Sequence, residues 1–200
     1  RLADHDSNEL RVTVAWFMGI HPEINEFHPS LLKLLSDKNP MVRRNAALSL
    51  VVYKDQRARQ ELRRMLSPFI LRSTENGIIR FRLKTNDAID QGTLIARIET
   101  GKSDELEVRS PIPGALESKL ADDGSQVVIG DRLALLSASN GHVREALRAL
   151  YLLGELEDIP LIEQYTTDSP ELPLEIRDQA RQTHKAILER AHLEPPTHEP

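Results

Sequence analysis

The chain has 200 residues, of which 40% are hydrophobic and 28% charged, with a formal net charge of -5. That composition suits a soluble protein of one or two domains with a real core, and no apolar run approaches the roughly 18 residues that a membrane span needs. Cysteine is absent, which excludes disulfides, thiolate metal sites and cysteine nucleophiles.

Charge is unevenly spread. Lys and Arg against Asp and Glu number 11 against 8 in residues 1–67, 9 against 11 in 68–138 and 6 against 12 in 139–200. The most basic region gathers Arg57, Arg59, Arg63 and Arg64, with Arg43 and Arg44 upstream. Such a cluster suits either a solvated helix face or the surface for an acidic partner. Aromatic residues make up 4% of the chain and none interleaves the arginines, so nucleic-acid binding is not expected.

In chain order, the first elements are helices. "NELRVTVAWFMG" and "PMVRRNAALSLV" align on apolar-Arg pairs, and the pattern returns later in "GHVREALRALYLL" and "LEIRDQARQTHKAI". Leu10, Val42, Val143 and Ile176 share a column, Arg11, Arg43, Arg144 and Arg177 the next, and Val14, Ala46, Leu147 and Ala180 follow one turn on, so each segment offers the same apolar stripe to a neighbour. The column spacings are 32, 101 and 33 residues, and removing an insertion of about 69 from the middle interval leaves about 32. Helix pairs of this period stack into solenoids, because each leaves an apolar face that only the next can cover. The bulky run Trp16, Phe17 and Met18 is expected to pack in the core between repeats.

These residues resemble the HEAT family, in particular the short HEAT-like repeats also found in phycobilisome lyases, over roughly 1–66 and 139–191. An acidic residue stands six positions before the Arg in two units, Asp37 before Arg43 and Glu171 before Arg177. The resemblance implies that this pair links neighbouring helix ends.

The middle of the chain changes character. Six of the nine glycines lie between 77 and 130. Ile79, Phe81 and Leu83 alternate with Arg80, Arg82 and Lys84, as Leu116, Ser118 and Leu120 do with Glu117 and Lys119; a period of two means half-buried strands. Asn76-Gly77, Pro113-Gly114 and Asp123-Gly124 mark tight turns. The two halves superpose: Arg72 on Arg109, Ser73 on Ser110, Gly77 on Gly114, then Gly92 on Gly130, Ala96 on Ala134 and Ile98 on Leu136.

Two such halves, each ending in a strand like "GTLIARI" or "GDRLALL", resemble the barrel-sandwich hybrid of biotinyl and lipoyl carrier domains, a fold shared with efflux-pump adaptors. In the carriers a lysine at the tip of the hairpin between the halves holds the prosthetic group. The corresponding connection here is "IETGKSDELEV", with Lys102 as the candidate for lipoyl or biotin attachment. "ETGK" is similar to the lipoyl pattern Glu-Thr-Asp-Lys-Ala, but Gly101 replaces the Asp, Ser103 replaces the Ala, and one extra residue precedes Ser110-Pro111. The methionines of the biotin version are missing. An insertion at a tight turn shifts how its tip is presented, so an unmodified lysine and no cofactor are expected, with lipoylated Lys102 as the alternative.

Beyond residue 139 the helical pattern resumes, and "LEPPTHEP" closes the chain with too few apolar residues to pack. No phosphate loop, nucleophile elbow or helical pair of histidines occurs, so neither a metal nor catalysis is expected. The expected architecture is an α-solenoid of HEAT-like repeats at 1–67 and 139–193, interrupted at 68–138 by a biotinyl/lipoyl-like barrel-sandwich hybrid, with a disordered tail at 194–200. The leading functional expectation is a non-enzymatic interaction scaffold that takes an acidic protein segment through Arg43, Arg44, Arg57, Arg63 and Arg64. The alternatives are a carrier component modified at Lys102 and an adaptor of an envelope or transport assembly. No leader precedes Arg1, so the cytoplasm is the expected compartment, for a chain that is itself open to being a fragment.

Overall fold

The computed structural model describes residues 2–101, 105–168 and 172–193. They form two compact units: a helical one that joins the chain up to Leu66 with the chain from Asn140 onward, and a strand-built one, Ser67–Ser139. Helices followed by a β-rich domain give an α + β chain.

The helical unit holds α1 (Asn8–Ile20), α2 (Phe27–Leu34), α3 (Pro40–Leu50), α4 (Arg59–Met65), α5 (Asn140–Leu153), α6 (Ile159–Glu163) and α7 (Leu174–Leu193). Local chemistry sets where helices begin. The Ser7 hydroxyl accepts from the Leu10 N–H at 3.2 Å and the Asn39 side chain from the Met41 N–H at 2.8 Å, and Pro40 sits in the first turn of α3, where its missing N–H costs nothing.

The repeated stripe faces inward. Val42, Val143, Ile176, Val14, Ala46, Leu147 and Ala180 are buried, and Leu10 is half-buried. Each fully buried Val, Leu or Ile contributes about 1.5–3 kcal/mol. Through these faces α1 packs on α3 and α5 on α7. A buried hydroxyl completes each contact: Ser49 donates to the Ala15 carbonyl at 2.8 Å and Thr183 to the Leu147 carbonyl at 2.9 Å. Ser49 and Thr183 are equivalent positions, each seven residues beyond the first stripe residue of its repeat. The equivalent in α5 is Leu150, and there α3 and α5 meet along only a short stretch. Stacking loosens at the one repeat step that the strand-built unit interrupts.

Other contacts close that step. α4 packs on α5, and the Asp158 carboxylate, fully buried, accepts from Arg59 Nε at 3.1 Å, Arg63 Nη1 at 3.0 Å and the Glu155 N–H at 2.9 Å. The Leu66 carbonyl accepts from Tyr165 Oη at 2.8 Å and Gln164 Nε2 at 3.1 Å. Residues more than ninety positions apart are thus tied together directly before the chain leaves the unit.

One expectation fails in α1. Met18 is buried, but Trp16 is 55% and Phe17 45% exposed. Consecutive helical residues point about 100° apart, so three in a row cannot share one face; Val14, Ala15 and Met18 take the inner one, and Phe17 packs against the rings of His21 and, edge-on, Phe27 instead.

The strand-built unit comprises β1 (Phe69–Arg72), β2 (Gly77–Phe81), β3 (Ala88–Ile89), β4 (Leu94–Glu99), β5 (Glu105–Arg109), β6 (Gly114–Lys119), β7 (Gln126–Val127) and β8 (Arg132–Ala138). They make two open four-stranded sheets, ordered β1-β8-β6-β3 and β5-β4-β2-β7, with every pairing antiparallel. Adding four to each strand number converts one sheet into the other. The duplication is therefore a twofold one in which each half contributes strands to both sheets.

The equivalence extends to single hydrogen bonds. Ser73 Oγ donates to the Glu75 carbonyl at 2.5 Å and Ser110 Oγ to the Ile112 carbonyl at 2.6 Å. Arg72 Nη1 reaches the Gly130 carbonyl, and Arg109 Nη1 the Gly92 carbonyl, both at 2.7 Å. The Gly130 N–H returns to Ser73 and the Gly92 N–H to Ser110, both at 2.8 Å. Each half's Arg-Ser pair clips the other half's glycine turn. Gly77 and Gly114 are required by close approach: a Cβ there would lie 2.3 Å from the Glu99 carbonyl oxygen and 1.8 Å from that of Ser137.

Ile79 and Leu116 are fully buried as the alternation implies, but Leu120 is 45% exposed. β6 ends at Lys119 with its alternation intact, so Leu120 lies past the strand, where a period of two no longer sets which way a side chain points.

Candidate functional site

The connection between the two halves is a hairpin. β4 and β5 pair through Ile98 with Leu106 and Glu99 with Glu105, which leaves residues 100–104 to close it. Gly101 turns the chain with φ +74°, is exposed, and has open space where a Cβ would stand. Lys102, the candidate attachment residue, lies outside the described residues with Ser103 and Asp104.

Ion pairs frame the base of this hairpin. Arg80 holds Glu99 at 3.1 Å and Arg97 holds Glu105 at 2.9 Å. Glu99 and Glu105 face each other across the strands, so each arginine removes a like-charge repulsion as well as adding an attraction. Exposed pairs of this kind contribute under about 1 kcal/mol each; their effect is to fix the strand ends from which the connection springs.

The twofold gives this place a counterpart. Strand β8 followed by β1 is the equivalent of β4 followed by β5, and there the chain is not closed by a loop: it enters before Phe69 and leaves after Ala138. One of two equivalent strand ends tethers the unit, and the other carries the connection with Lys102.

The five arginines singled out as a partner surface are divided by the structure. Arg43, Arg57 and Arg64 line one cavity of about 420 Å³ together with buried Glu61. Arg43 and Arg64 pair with Glu61 at 3.2 and 3.0 Å, and Arg57 pairs with Asp55 at 2.6 Å. Arg57, with help from His28 and the Arg57 N–H, holds the Asp55 carboxyl far below the usual carboxylate range. Arg63 is joined to Asp158. Arg44 is buried elsewhere.

The six-residue acid-Arg offset also resolves differently. Arg43 donates to the Asp37 carbonyl oxygen at 2.8 Å, while the Asp37 carboxylate takes Arg11 of the preceding repeat at 2.7 Å. Arg177 pairs with Asp168 at 3.0 Å, and Glu171 lies outside the described residues.

Arg44 borders a second cavity, of about 600 Å³, formed by α1, α3 and α5. Trp16, Gly19 and Ile20 come from α1, Met41, Arg44, Asn45 and Leu48 from α3, and His142, Glu145, Ala149 and Leu152 from α5. Within each helix they recur at intervals of three or four, the mark of one helix face. Burial, and behind it the positive charge of Arg44, push the His142 imidazole below its ordinary value, which favours its neutral form. This second face was missed in the sequence because the stripe reading accounted for only one apolar face per repeat.

Among the described residues, no group of three or more His, Asp or Glu is placed to hold a metal ion, and no helix is long and apolar enough to cross a membrane.

Residues 1–74 match the family of HEAT repeats, and residues 64–136 match the family described as biotin-requiring enzyme. The chain thus carries a HEAT-like region and a biotinyl/lipoyl-type domain. A segment of 64 residues is 31% identical to the dihydrolipoyllysine-residue acetyltransferase component of the pyruvate dehydrogenase complex in two strains of Staphylococcus epidermidis, covering 32% of this chain but only 14% of that protein. Among solved structures, an aspartoacylase family protein from Mesorhizobium loti aligns over 35% of this chain and 23% of its own, with 18% identity and a TM-score of 0.32. A single-chain, multi-domain long-chain acyl-CoA carboxylase aligns over 63% of this chain and 10% of its own, with 13% identity and a TM-score of 0.34.

Proposed function

We propose that the protein is a carrier component in which Lys102 bears a lipoyl group, displayed by a barrel-sandwich hybrid that is inserted into a HEAT-like α-solenoid. The observation that supports this most is the position of Lys102: in the connection of the β4–β5 hairpin, at the strand end equivalent by twofold to the tether. The described part of that connection fits such a group, since Gly101 is exposed and unobstructed and a modifying ligase needs an accessible amine on a rigid hairpin. When attached, a lipoyl group supplies a dithiolane that receives an acyl group and passes it on. The chain's own residues contribute the amine of Lys102, the fixed hairpin base made by Arg80 and Arg97, and a helical unit for holding protein partners. In this reading the chain itself is not an enzyme.

The lipoyl form is favoured over biotin by "ETGK" and by the identity with the acetyltransferase component. The test is incubation of the purified chain with lipoate, ATP and a lipoate–protein ligase, read by intact mass. One added lipoyl group, lost in Lys102→Arg and retained in Lys119→Arg, is the expected outcome. An unchanged mass, with the ligase active on a known carrier in the same tube, would overturn the proposal.

The second reading is an unmodified scaffold, favoured by Gly101 and Ser103 in place of the Asp and Ala of the lipoyl pattern. Its partner would be a protein with an acidic segment, met by Arg43, Arg57 and Arg64 around their shared cavity. Charge reversal of Arg57 and Arg64 should then abolish capture of that partner while leaving the mass of the chain unaltered.

A further inference from the structure

Arg44 is 2% exposed, yet its Nε and Nη1 atoms meet no hydrogen-bond acceptor. The carboxylate whose charge acts on it most is Glu61, but Glu61 is engaged by Arg43 and Arg64 and gives Arg44 no hydrogen bond. A buried guanidinium without acceptors is unfavourable, and a methionine would fill the same space without that cost. Core packing therefore does not account for an arginine here.

The surroundings describe what would. Arg44 lines the α1, α3 and α5 cavity, whose rim is formed by Trp16, Ile20, Val52 and Leu152, each more than half exposed. The cavity lies at the repeat step where α3 and α5 lack the hydroxyl-to-carbonyl contact that draws the other pairs together. Its volume, about 600 Å³, falls within the range of small-molecule sites. We propose that this cavity binds a small monocarboxylate with an apolar chain, Arg44 taking the carboxylate and Trp16, Ile20, Val52 and Leu152 covering the chain.

The chemistry is specific in two respects. A guanidinium presents planar N–H groups that match the oxygens of a carboxylate. One buried cation, Arg44, balances one negative charge; a phosphate dianion would need a second. Glu145 and Arg148 are exposed and remain solvated at the rim, where their opposite charges offset one another. The inference concerns the helical unit alone and does not rest on the modification of Lys102.

Trp16 is the only tryptophan and borders the cavity, so its fluorescence reads occupancy. The full chain is titrated with octanoate, octanol and octyl phosphate. Octanoate should saturate the signal at least about tenfold more tightly than octanol, the factor that a charge-assisted hydrogen bond supplies. Arg44→Met should lose about the same factor for octanoate and none for octanol. Leu152→Asp, a change at an exposed position that leaves the core intact, should weaken octanoate in a chain with wild-type circular dichroism. Equal affinity for octanoate and octanol, octanoate binding unaltered in both variants, absence of saturation, or tighter binding of octyl phosphate would each overturn the proposal.

Discussion

Both units are internally repeated, and they join their copies by opposite means. In the helical unit the copies are related by a shift along the chain: α1 meets α3 and α5 meets α7. In the strand-built unit the copies are related by rotation, and each half's strands and Arg-Ser clip are completed by the other half. A shifted array needs only neighbouring faces, not continuous chain, so 73 residues, Ser67–Ser139, can be placed between two of its repeats. A rotated pair has no such step. It tolerates variable chain only at the two equivalent strand ends, which are the tether and the connection that holds Lys102.

The sharpest way to break the contrast is at the joint of the helical unit. Asp158→Ala leaves Arg59 and Arg63 without their shared buried carboxylate and the Glu155 N–H without an acceptor, and should cost about 3–5 kcal/mol. Urea unfolding followed by helical circular dichroism measures it. A loss under about 1 kcal/mol would mean that α4 is held to the segment around Asp158 by apolar packing alone.

In the other unit Gly114→Ala should cost about 2–4 kcal/mol, because the new Cβ would fall 1.8 Å from the Ser137 oxygen and force β6 from β8. Ser110→Ala and Ser73→Ala should each cost about 1–3 kcal/mol, and the twofold requires the two losses to be alike. A large difference between them, by amide exchange of the clipped Gly92 and Gly130, would show that the halves are not energetically equivalent.

The smallest effect concerns pH. The hydrogen bond from Arg11, assisted by the Asn39 N–H, holds the Asp37 carboxyl below its ordinary value of 3.8. A depressed folded value means that its stabilisation is present above 3.8 and is lost as pH falls through the lower folded value. Arg11→Ala should therefore flatten the decline in stability of the helical unit on acidification while lowering stability near neutrality by about 1 kcal/mol or less. An acid limb identical to wild type would assign the decline to other carboxylates.

Periodicity by itself determined a good deal. The spacing of Leu10, Val42, Val143 and Ile176 located an insertion in a repeat, and the superposition of Arg72-Ser73 on Arg109-Ser110 identified a doubled β unit, because stripe and alternation are local consequences of helix and strand geometry. The tertiary structure decided what local pattern cannot express. Arg43, Arg44, Arg57, Arg63 and Arg64 form one cluster in the chain but face three different surroundings, since adjacent helical residues point apart and their partners, Glu61, Asp55 and Asp158, come from other turns and other repeats. Arg44 in particular reads as one more surface cation until three helices close around it, and burial, which belongs to the packed molecule rather than to the residue, is what gives its charge a use.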